Sequence, residues 1–341
     1  MELFKKLFWC TDQHFGKKGN DPVALKDNMD FFDWAIDEAL TWGAETCILG
    51  GDLFDNRHQI GVITINAALD TLDKLSKSFK RVYILLGNHD LPYRSQRKMA
   101  SVEFGRNYPN ITIIREPTII GESILLPWLM EDEYKTVKDL KGRYIFGHAE
   151  IPGFYFNSKI LMEESEIAVQ ANDFNADYTF MGHFHGRQYK TTKNSNIIYT
   201  GNIFPSSFSD DGDDDKGIML LEYGKEPSFK KWPGQPLYRS MKLSEMVSEP
   251  DKLLRQNMTV RVSIDLPLRY EEAQEIRDEL IKVYSLRKIE LINGTIEEQD
   301  FVDPDIKFRS VDQIIIEGLS DVDSAELNNQ RLIDIYLSLP K

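Results

Sequence analysis

The chain has 341 residues, a length typical of about two domains. Hydrophobic residues make up 41% of it and aromatic residues 11%, so global disorder is excluded. The formal net charge of −14 argues against a protein that binds nucleic acid through its overall field, although it allows a nucleic-acid enzyme with local positive charge.

The two cysteines of the chain, Cys10 and Cys47, cannot form a disulfide framework, and both lie in apolar runs. This usage favours a reducing compartment, and we expect the cytoplasm. The compact length of the chain suggests that of a bacterium or of a phage-infected host. The charged start of the chain does not resemble a signal peptide, and no apolar run reaches membrane-spanning length. We therefore expect no membrane association.

Short apolar runs alternate with amphipathic stretches over residues 3–221. The runs predicted as strands are residues 7–10, 46–49, 81–86, 111–114, 123–126, 144–146, 178–181, 197–199 and 218–221. Apolar residues at helical spacing predict helices over residues 28–42 and 63–75. Strands that alternate with helices favour a largely parallel sheet, while the closer spacing of the last strands favours antiparallel pairs. The predicted fold class is therefore α/β.

The composition changes in the last third of the chain. Residues 210–215 are an acidic run with one glycine, which we interpret as a solvated hairpin loop. Three prolines between residues 227 and 236 predict a linker. Beyond it, apolar patterns predict a strand at residues 260–264, a helix at 270–284 and a strand at 289–291, which form a small α+β unit.

Two short helices are predicted near the end of the chain, because capping-box patterns open at Ser310 and Asp323. Helices this short need a partner for their apolar faces, which is either the preceding α+β unit or another protein. The side chains expected on those faces include Val311, Ile314, Ile315, Leu332, Ile335 and Tyr336.

Five short polar motifs follow predicted strands, at residues 12–14, 51–55, 87–90, 147–148 and 182–185. Because ligands gather beyond the carboxyl ends of strands in an open α/β sheet, these loops can converge on one site. Five of the six histidines lie in the motifs. A single histidine of this kind is more often structural, but the complete set predicts a metal site.

The donor types favour two metal ions. Asp12, Asp52 and Asn88 together with four imidazoles exceed what one tetrahedral site can use. A shared carboxylate can hold two ions about 3.5–4 Å apart, the separation that clamps a phosphoryl group. Mixed oxygen and imidazole ligands suit Mn²⁺ or Fe²⁺, with Zn²⁺ as an alternative, and the lack of thiolates argues against structural zinc.

The ordered set D-x-H, G-D-x-x-D, G-N-H-D, G-H and G-H-x-H resembles that of the calcineurin-like metallophosphoesterases over about residues 1–224. Within that superfamily the chain resembles the recombination and repair nucleases of the SbcD type, including the nuclease subunit that large phages encode. The residues that carry this second resemblance are Asp90, Asp55-Asn56-Arg57, Tyr199-Thr200-Gly201-Asn202 and Lys216-Gly217-Ile218.

The resemblance implies a fold and a domain organisation. The metallophosphoesterase fold, a two-sheet β-sandwich core flanked by helices, would occupy residues 1–224. A small α+β capping domain that contacts DNA would follow at residues 225–303. A C-terminal helical segment at residues 304–341 would bind a partner protein.

The resemblance also implies roles for the motif residues. The metal ligands implied are, for the first ion, Asp12, His14, Asp52 and His185 and, for the second, Asn88, His148 and His183, with Asp52 as a bridge. His89 would act beside the scissile phosphate without binding metal, and Asp90 would orient His89 or His14. The expected cofactor is a pair of Mn²⁺ ions, with Mg²⁺, Fe²⁺ or Zn²⁺ as alternatives.

Basic residues that follow the motifs are predicted to form a positive rim for the DNA backbone. They are Lys17, Lys18, Arg57, Arg94, Arg97, Lys98 and Arg187. The alternative is that they are ordinary solvated loop residues.

The function implied by the resemblance is a two-metal nuclease subunit, a 3′→5′ exonuclease on duplex DNA and an endonuclease on single strands. Its expected partner is an SbcC-type, SMC-like ATPase gripped by the tail, with a homodimer of the nuclease inside a heterotetramer. Two alternatives stay open: a phosphomonoesterase or cyclic-nucleotide phosphodiesterase, and a non-catalytic scaffold on the same fold.

Overall fold

Three β-sheets and their connecting helices form the described part of the chain. The computed structural model describes residues 2–93, 96–156, 160–163, 169–293 and 331. The strands are β1 (Lys6–Cys10), β2 (Thr46–Leu49), β3 (Arg81–Leu85), β4 (Ile111–Ile114), β5 (Thr118–Ile120), β6 (Ser123–Leu126), β7 (Tyr144–His148), β8 (Tyr178–Gly182), β9 (Gln188–Thr191), β10 (Asn196–Tyr199), β11 (Gly217–Glu222), β12 (Ser228–Lys231), β13 (Leu237–Lys242), β14 (Met258–Ile264) and β15 (Lys288–Asn293). The α-helices are α1 (Lys17–Asn20), α2 (Pro22–Trp42), α3 (Val62–Ser78), α4 (Leu243–Ser248), α5 (Pro250–Leu253) and α6 (Tyr270–Tyr284). Within these described ranges, no helix has both the length and the hydropathy that a membrane span would need.

The two larger sheets each contain six strands. The first has the order β12-β11-β1-β2-β3-β4, in which β1 to β4 are parallel and β11 and β12 extend the sheet by antiparallel pairing. The second has the order β5-β6-β7-β8-β10-β9, with parallel pairing from β6 to β10 and antiparallel edge strands. The third is a parallel sheet of β13, β14 and β15. The predicted α/β fold class is confirmed.

The side chains of β1 show how the layers are assembled. Leu7 and Trp9 pack into the core shared by the two large sheets, whereas Phe8 and Cys10 point to the opposite face and pack under α2 and α3. Both faces of the strand are therefore buried, which explains its unbroken apolar run. The result is a pair of facing sheets with helices on the outer face of the first.

Polar contacts join the third sheet to the helices α1 and α2, which pack against the first sheet. Arg287, the residue before β15, forms a bidentate ion pair with Asp27 of α2, at 2.5 and 2.6 Å. Lys18 donates a hydrogen bond to the Tyr238 hydroxyl and lies 4.8 Å from the centre of its ring. The described residues up to 293 belong to one compact unit. The expected domain boundaries stay a prediction.

The predicted tail helices lie outside the described residues. This applies to all of the side chains expected to bind a partner, namely Val311, Ile314, Ile315, Leu332, Ile335 and Tyr336.

Three predictions differ from the structure. The strands predicted at residues 178–181 and 197–199 are not antiparallel, because β9 is the edge strand and β10 lies between it and β8, parallel to β8. The helix predicted from residue 28 begins at Pro22, because the Asp21 carboxylate accepts the Val23 N–H at 2.9 Å and proline suits the first helical turn. The linker predicted at residues 227–236 contains β12, so that prediction is wrong. Its prolines lie outside the strand, and β12 is an edge strand, where flanking prolines remove no hydrogen bond of the sheet.

The prediction that residues 210–215 are a solvated loop is wrong for the first of them. The Asp210 carboxylate is buried, accepts the Ser206 N–H at 2.8 Å and lies 3.0 Å from the ammonium group of the fully buried Lys216. Although burial alone would raise the pKa of Asp210, Lys216 holds it well below its usual range. A buried counter-ion therefore orients this carboxylate.

The same loop also contacts the third sheet. Asp211 accepts the backbone N–H of Ser240 at 2.8 Å, and Asp214 pairs with Arg239 at 2.5 Å. Both partners lie on β13. The acidic run is thus a connection between the first and third sheets.

We expect Lys216→Met to reduce the free energy of unfolding by about 3–5 kcal/mol, because it leaves the buried Asp210 carboxylate without its counter-ion. Urea denaturation of the protein in EDTA measures this change. The matched control is Lys230→Met, which removes an exposed ammonium group 3.6 Å from Glu38 and should cost less than about 1 kcal/mol. Equal losses in the two variants would contradict the role of the buried pair.

Candidate metal centre

The five motif loops meet where the carboxyl ends of β1, β2, β3, β7 and β8 face one another. Backbone hydrogen bonds align the first two loops: the Asp12 N–H bonds to the Gly51 carbonyl at 3.1 Å, and the His14 N–H bonds to the Asp52 carbonyl at 3.0 Å. Across the two sheets, a Cβ at Gly182 would lie 2.1 Å from the Thr11 hydroxyl. Only glycine permits this close approach of β8 to the end of β1.

Four of the predicted metal ligands have a left-handed backbone conformation. Their φ angles are 55° for Asp12, 49° for His14, 54° for Asp52 and 99° for His183. Such angles are uncommon for residues other than glycine, and they persist where the surrounding structure imposes them. Their concentration in these loops is typical of a functional site.

The first group of candidate ligands consists of Asp12, His14 and His185. The Nε2 atoms of the two histidines are 3.1 Å apart, and each lies 4.0 Å from Asp12 Oδ1. Burial, with a smaller contribution from Lys17, lowers the pKa of both imidazoles well below the usual value. Both rings are therefore neutral at pH 7, the form that binds a cation.

The second group consists of Asp52, His148 and His183, with Asn88 between them. Asn88 Oδ1 lies 3.3 Å from His148 Nε2 and 3.0 Å from His183 Nδ1, and Asp52 Oδ2 lies 3.3 Å from His148 Nε2. The groups adjoin, because both carboxylate oxygens of Asp12 accept the backbone N–H of His183, at 3.2 and 3.1 Å.

The outer nitrogens of the second group determine which atoms are free to bind a cation. His148 Nδ1 is 2.8 Å from the Gly50 carbonyl, and His183 Nε2 is 3.1 Å from Glu150 Oε1. Since both partners are acceptors, these nitrogens carry the hydrogen. His183 Nδ1 and Asn88 Oδ1 then present lone pairs to each other, an arrangement that a divalent ion with mixed oxygen and imidazole ligands would stabilise.

The two buried carboxylates have different electrostatic environments. Burial raises the pKa of Asp12, and the nearby Asp52 raises it further. For Asp52, burial also acts to raise the pKa, but His148 and His89 hold it well below the usual range. Burial alone would lower the pKa of His148, and the Asp52 charge raises it to about 9. Asp52 and His148 therefore form a buried ion pair, whereas burial and the Asp52 charge oppose ionisation of Asp12.

Asp90 does not have the expected orienting contact with a histidine. Its carboxylate accepts the backbone N–H groups of Asp52 and Gly87, both at 2.9 Å, and of Leu53 at 3.0 Å. The reason is local. In the 3₁₀ turn Asn88–Asp90, the Asp90 side chain folds back onto the backbone N–H of Gly87, the residue before the turn. Asp90 joins the second and third motif loops instead.

The contact that orients His89 comes from Asp55, whose importance the sequence did not reveal. Its carbonyl oxygen is 2.6 Å from His89 Nδ1, and its carboxylate is 3.5 Å from His14 Nδ1. The His89 and His14 rings lie 5.0 Å apart, so His89 borders the first ligand group. The signal available was the second aspartate of G-D-x-x-D.

Two residues near the second ligand group were also missed as parts of the site. Glu150 contacts His183, and the only signal was its position two residues after His148, on the same side of an extended chain. The Trp128 ring lies 5.1 Å from that of His183 and 6.1 Å from that of His148. An apolar residue after a proline gives no indication of such a position.

Several residues of the predicted basic rim have partners within the protein. Arg97 pairs with Glu133 and with the Trp128 carbonyl, and its side chain is 10% exposed. Arg187 pairs with Asp215 at 2.9 Å, lies over the Phe229 ring and is 5% exposed. These two guanidinium groups therefore stabilise the protein's own loops.

The other rim residues differ in their surroundings. The Lys17 ammonium group donates to the Ser206 hydroxyl at 2.8 Å, and Lys18 contacts Tyr238 as described above. Arg57 is half-buried and Lys98 is exposed. Arg94 lies outside the described residues. Their contact with DNA stays a prediction.

Comparison with known proteins identifies relatives along most of the chain. Exonuclease subunit 1 of Enterobacteria phage T4 is 27% identical over 315 residues, covering 86% of this chain and 87% of the phage protein. The double-strand break repair protein MRE11 of Encephalitozoon cuniculi is 24% identical over 262 residues, covering 65% of this chain and 46% of that protein. The DNA double-strand break repair protein Mre11 of Methanococcus maripaludis is 25% identical over 212 residues, covering 56% and 54%.

A family profile described as calcineurin-like phosphoesterase matches residues 5–187, which include the five motifs up to His185. This match extends over more than half of the chain. The resemblance noted from the ordered motifs is thereby confirmed, and the chain belongs to the calcineurin-like phosphoesterase family.

Proposed function

We propose that this chain is a two-metal DNA nuclease subunit, acting as a 3′→5′ exonuclease on duplex ends and as an endonuclease on single strands. The observation that carries the proposal is the presence of two adjoining Asp/His groups, each with ligand atoms within 4.8 Å of one another. Membership of the phosphoesterase family and similarity to a phage exonuclease subunit and to two break-repair proteins support DNA as the substrate.

In the proposed site, Asp12, His14 and His185 would hold one ion. Asn88, His148 and His183 would hold the other, and the Asp52 carboxylate would be shared between them. A pair of divalent ions bound there, Mn²⁺ in our proposal, would supply Lewis-acid activation of the phosphodiester and would lower the pKa of a water molecule. Mg²⁺, Fe²⁺ and Zn²⁺ are alternatives that accept the same donors.

His89 is proposed to act on the leaving group. Its Nδ1 lies 2.6 Å from the Asp55 carbonyl, which is an acceptor, so Nδ1 carries a hydrogen. Nε2 is then the ring nitrogen that exchanges a proton with the substrate. A positioned histidine can protonate the leaving oxygen or stabilise charge on the phosphoryl group in the transition state.

The remaining parts of the proposal concern DNA and a partner. Residues 225–303 would form a capping domain that contacts DNA, with the rim residues that follow the motifs. Residues 304–341 would bind an SMC-like ATPase of the SbcC type. The nuclease would pair with a second copy inside a heterotetramer.

We expect hydrolysis to depend on divalent metal. Protein treated with EDTA should be inactive on end-labelled duplex DNA and on bis-nitrophenyl phosphate, and Mn²⁺ should restore both activities. Because the ions bind only the folded state, Mn²⁺ at 100 times its dissociation constant should also raise stability by about 2.7 kcal/mol. Hydrolysis of a phosphomonoester alone would favour a phosphatase, and binding of metal without hydrolysis of any of these substrates would favour a scaffold.

Changing His89 to Ser should lower the rate of DNA cleavage about 10²–10⁴-fold, the contribution typical of a general acid, without loss of bound metal. Rates on labelled duplex and metal content per chain measure the two effects. His58→Ser is the matched control, because His58 is exposed and outside the motifs. If His89→Ser loses both ions, His89 is a ligand and the assigned role is wrong.

Removal of residues 305–341 should abolish binding to the SMC-like ATPase and leave metal-dependent hydrolysis of bis-nitrophenyl phosphate intact. Co-purification of the two proteins measures the first effect. Within the intact tail, Ile335→Asp should weaken the complex by placing a charge in an apolar contact. Ile119→Asp, at an exposed position of β5, is the matched control. Loss of hydrolysis on truncation would contradict a tail used only for binding.

A further inference from the structure

A carboxylate at the edge of the second ligand group contacts the outer nitrogen of one histidine. Glu150 Oε1 lies 3.1 Å from His183 Nε2. The His183 side chain is 13% exposed and that of Glu150 is 37% exposed, so the contact reaches from the site to the protein surface. Glu150 follows β7, whereas His183 follows β8, and the contact therefore joins two adjacent motif loops.

The contact determines which nitrogen of His183 faces the site. A carboxylate accepts a hydrogen, so Nε2 carries it, and Nδ1 is left with a lone pair 3.0 Å from Asn88 Oδ1. The reverse tautomer would place a lone pair against the negative charge of Glu150 and a hydrogen inside the ligand group. Glu150 thus favours the tautomer that binds a cation through Nδ1.

The other contacts of the His183 ring are aromatic. The rings of Trp128, Phe184 and Phe156 lie 5.1, 5.2 and 6.2 Å from it. Packing of this kind limits where the ring lies but distinguishes poorly between its two nitrogens. A polar contact is needed for that choice, and Glu150 provides one.

His148, the neighbouring ligand, provides a comparison within the same site. Its outer nitrogen is 2.8 Å from the Gly50 carbonyl, a neutral acceptor that belongs to the main chain. The acceptor for His183 is a charged side chain instead. A carboxylate in this position makes the imidazole a stronger donor to a metal ion.

We infer that Glu150 is a positioning residue for the second metal ion. It holds the His183 ring with Nδ1 toward the ion and strengthens binding there, without touching the ion or the substrate. This inference rests on the proposed function only in assigning His183 as a metal ligand.

Mn²⁺ titration of the full-length protein, followed by the electron paramagnetic resonance signal of free Mn²⁺, tests the inference. We expect Glu150→Ala to weaken one of two binding events about 10–100-fold, the range typical of such outer contacts. Glu150→Gln should lose less Mn²⁺ affinity than Glu150→Ala, because the glutamine amide oxygen still accepts the Nε2 hydrogen of His183. Glu163→Ala removes an exposed carboxylate from the same part of the chain and should bind both ions as the unaltered protein does. An equal loss in Glu163→Ala would mean that general charge is responsible, and would overturn the inference.

A second pair of variants tests whether Glu150 acts through His183. His183→Ala and the double variant with Glu150→Ala should have the same Mn²⁺ affinity, because the carboxylate has no ring left to position. A further loss in the double variant would make Glu150 a ligand itself and would contradict the inference. The unfolding midpoint in EDTA should be the same for Glu150→Ala and the unaltered protein, which separates positioning from a structural role.

The outcomes distinguish this inference from the proposed nuclease function. If Glu150→Ala binds both ions as tightly as the unaltered protein, the inference is wrong whether or not DNA is cleaved. If the unaltered protein binds two ions but cleaves no DNA, the proposed function fails and the binding data still decide the role of Glu150. An unaltered protein that binds fewer than two ions would overturn both.

Discussion

The structure depends on burying two carboxylates, Asp12 and Asp52, where the strand ends of two sheets meet. Buried charges of one sign are costly unless they are paired or coordinate metal. Here imidazoles surround them, and backbone N–H groups at His89 and His183 donate to them. The left-handed backbone conformation of both aspartates and the close approach of the two sheets at Gly182 bring these charges together. A pair of cations would complete the compensation, and in the proposed reaction would supply the chemistry.

The strands and helices with strong apolar patterns could be predicted from the sequence. The predictions for residues 46–49, 111–114, 123–126 and 270–284 coincide with β2, β4, β6 and α6, since each is a clear apolar run or helical face bounded by polar residues. Weakly patterned edge strands such as β12 could not be predicted, because their side chains are mostly exposed and pairing with a neighbouring strand decides their conformation.

The sequence could predict which residues form the candidate site, but not which atoms their side chains contact. Residue type and order along the chain indicate which histidines and aspartates belong together. The direction of the Asp90 side chain, the Asp55 carbonyl and the internal pairs of Arg97 and Arg187 depend on tertiary packing. A sequence pattern contains no information about which of two nearby acceptors a ring or a guanidinium group will reach.

The buried ammonium group of Lys216 has a further partner: it donates to the His185 carbonyl at 2.7 Å. The acidic run that precedes Lys216 is bonded to β13 through Asp211 and Asp214. The third sheet therefore cannot move away from the first without breaking these bonds or pulling on the main chain of His185. The fold therefore contains a short chain of contacts from its third sheet to a histidine of the candidate metal centre.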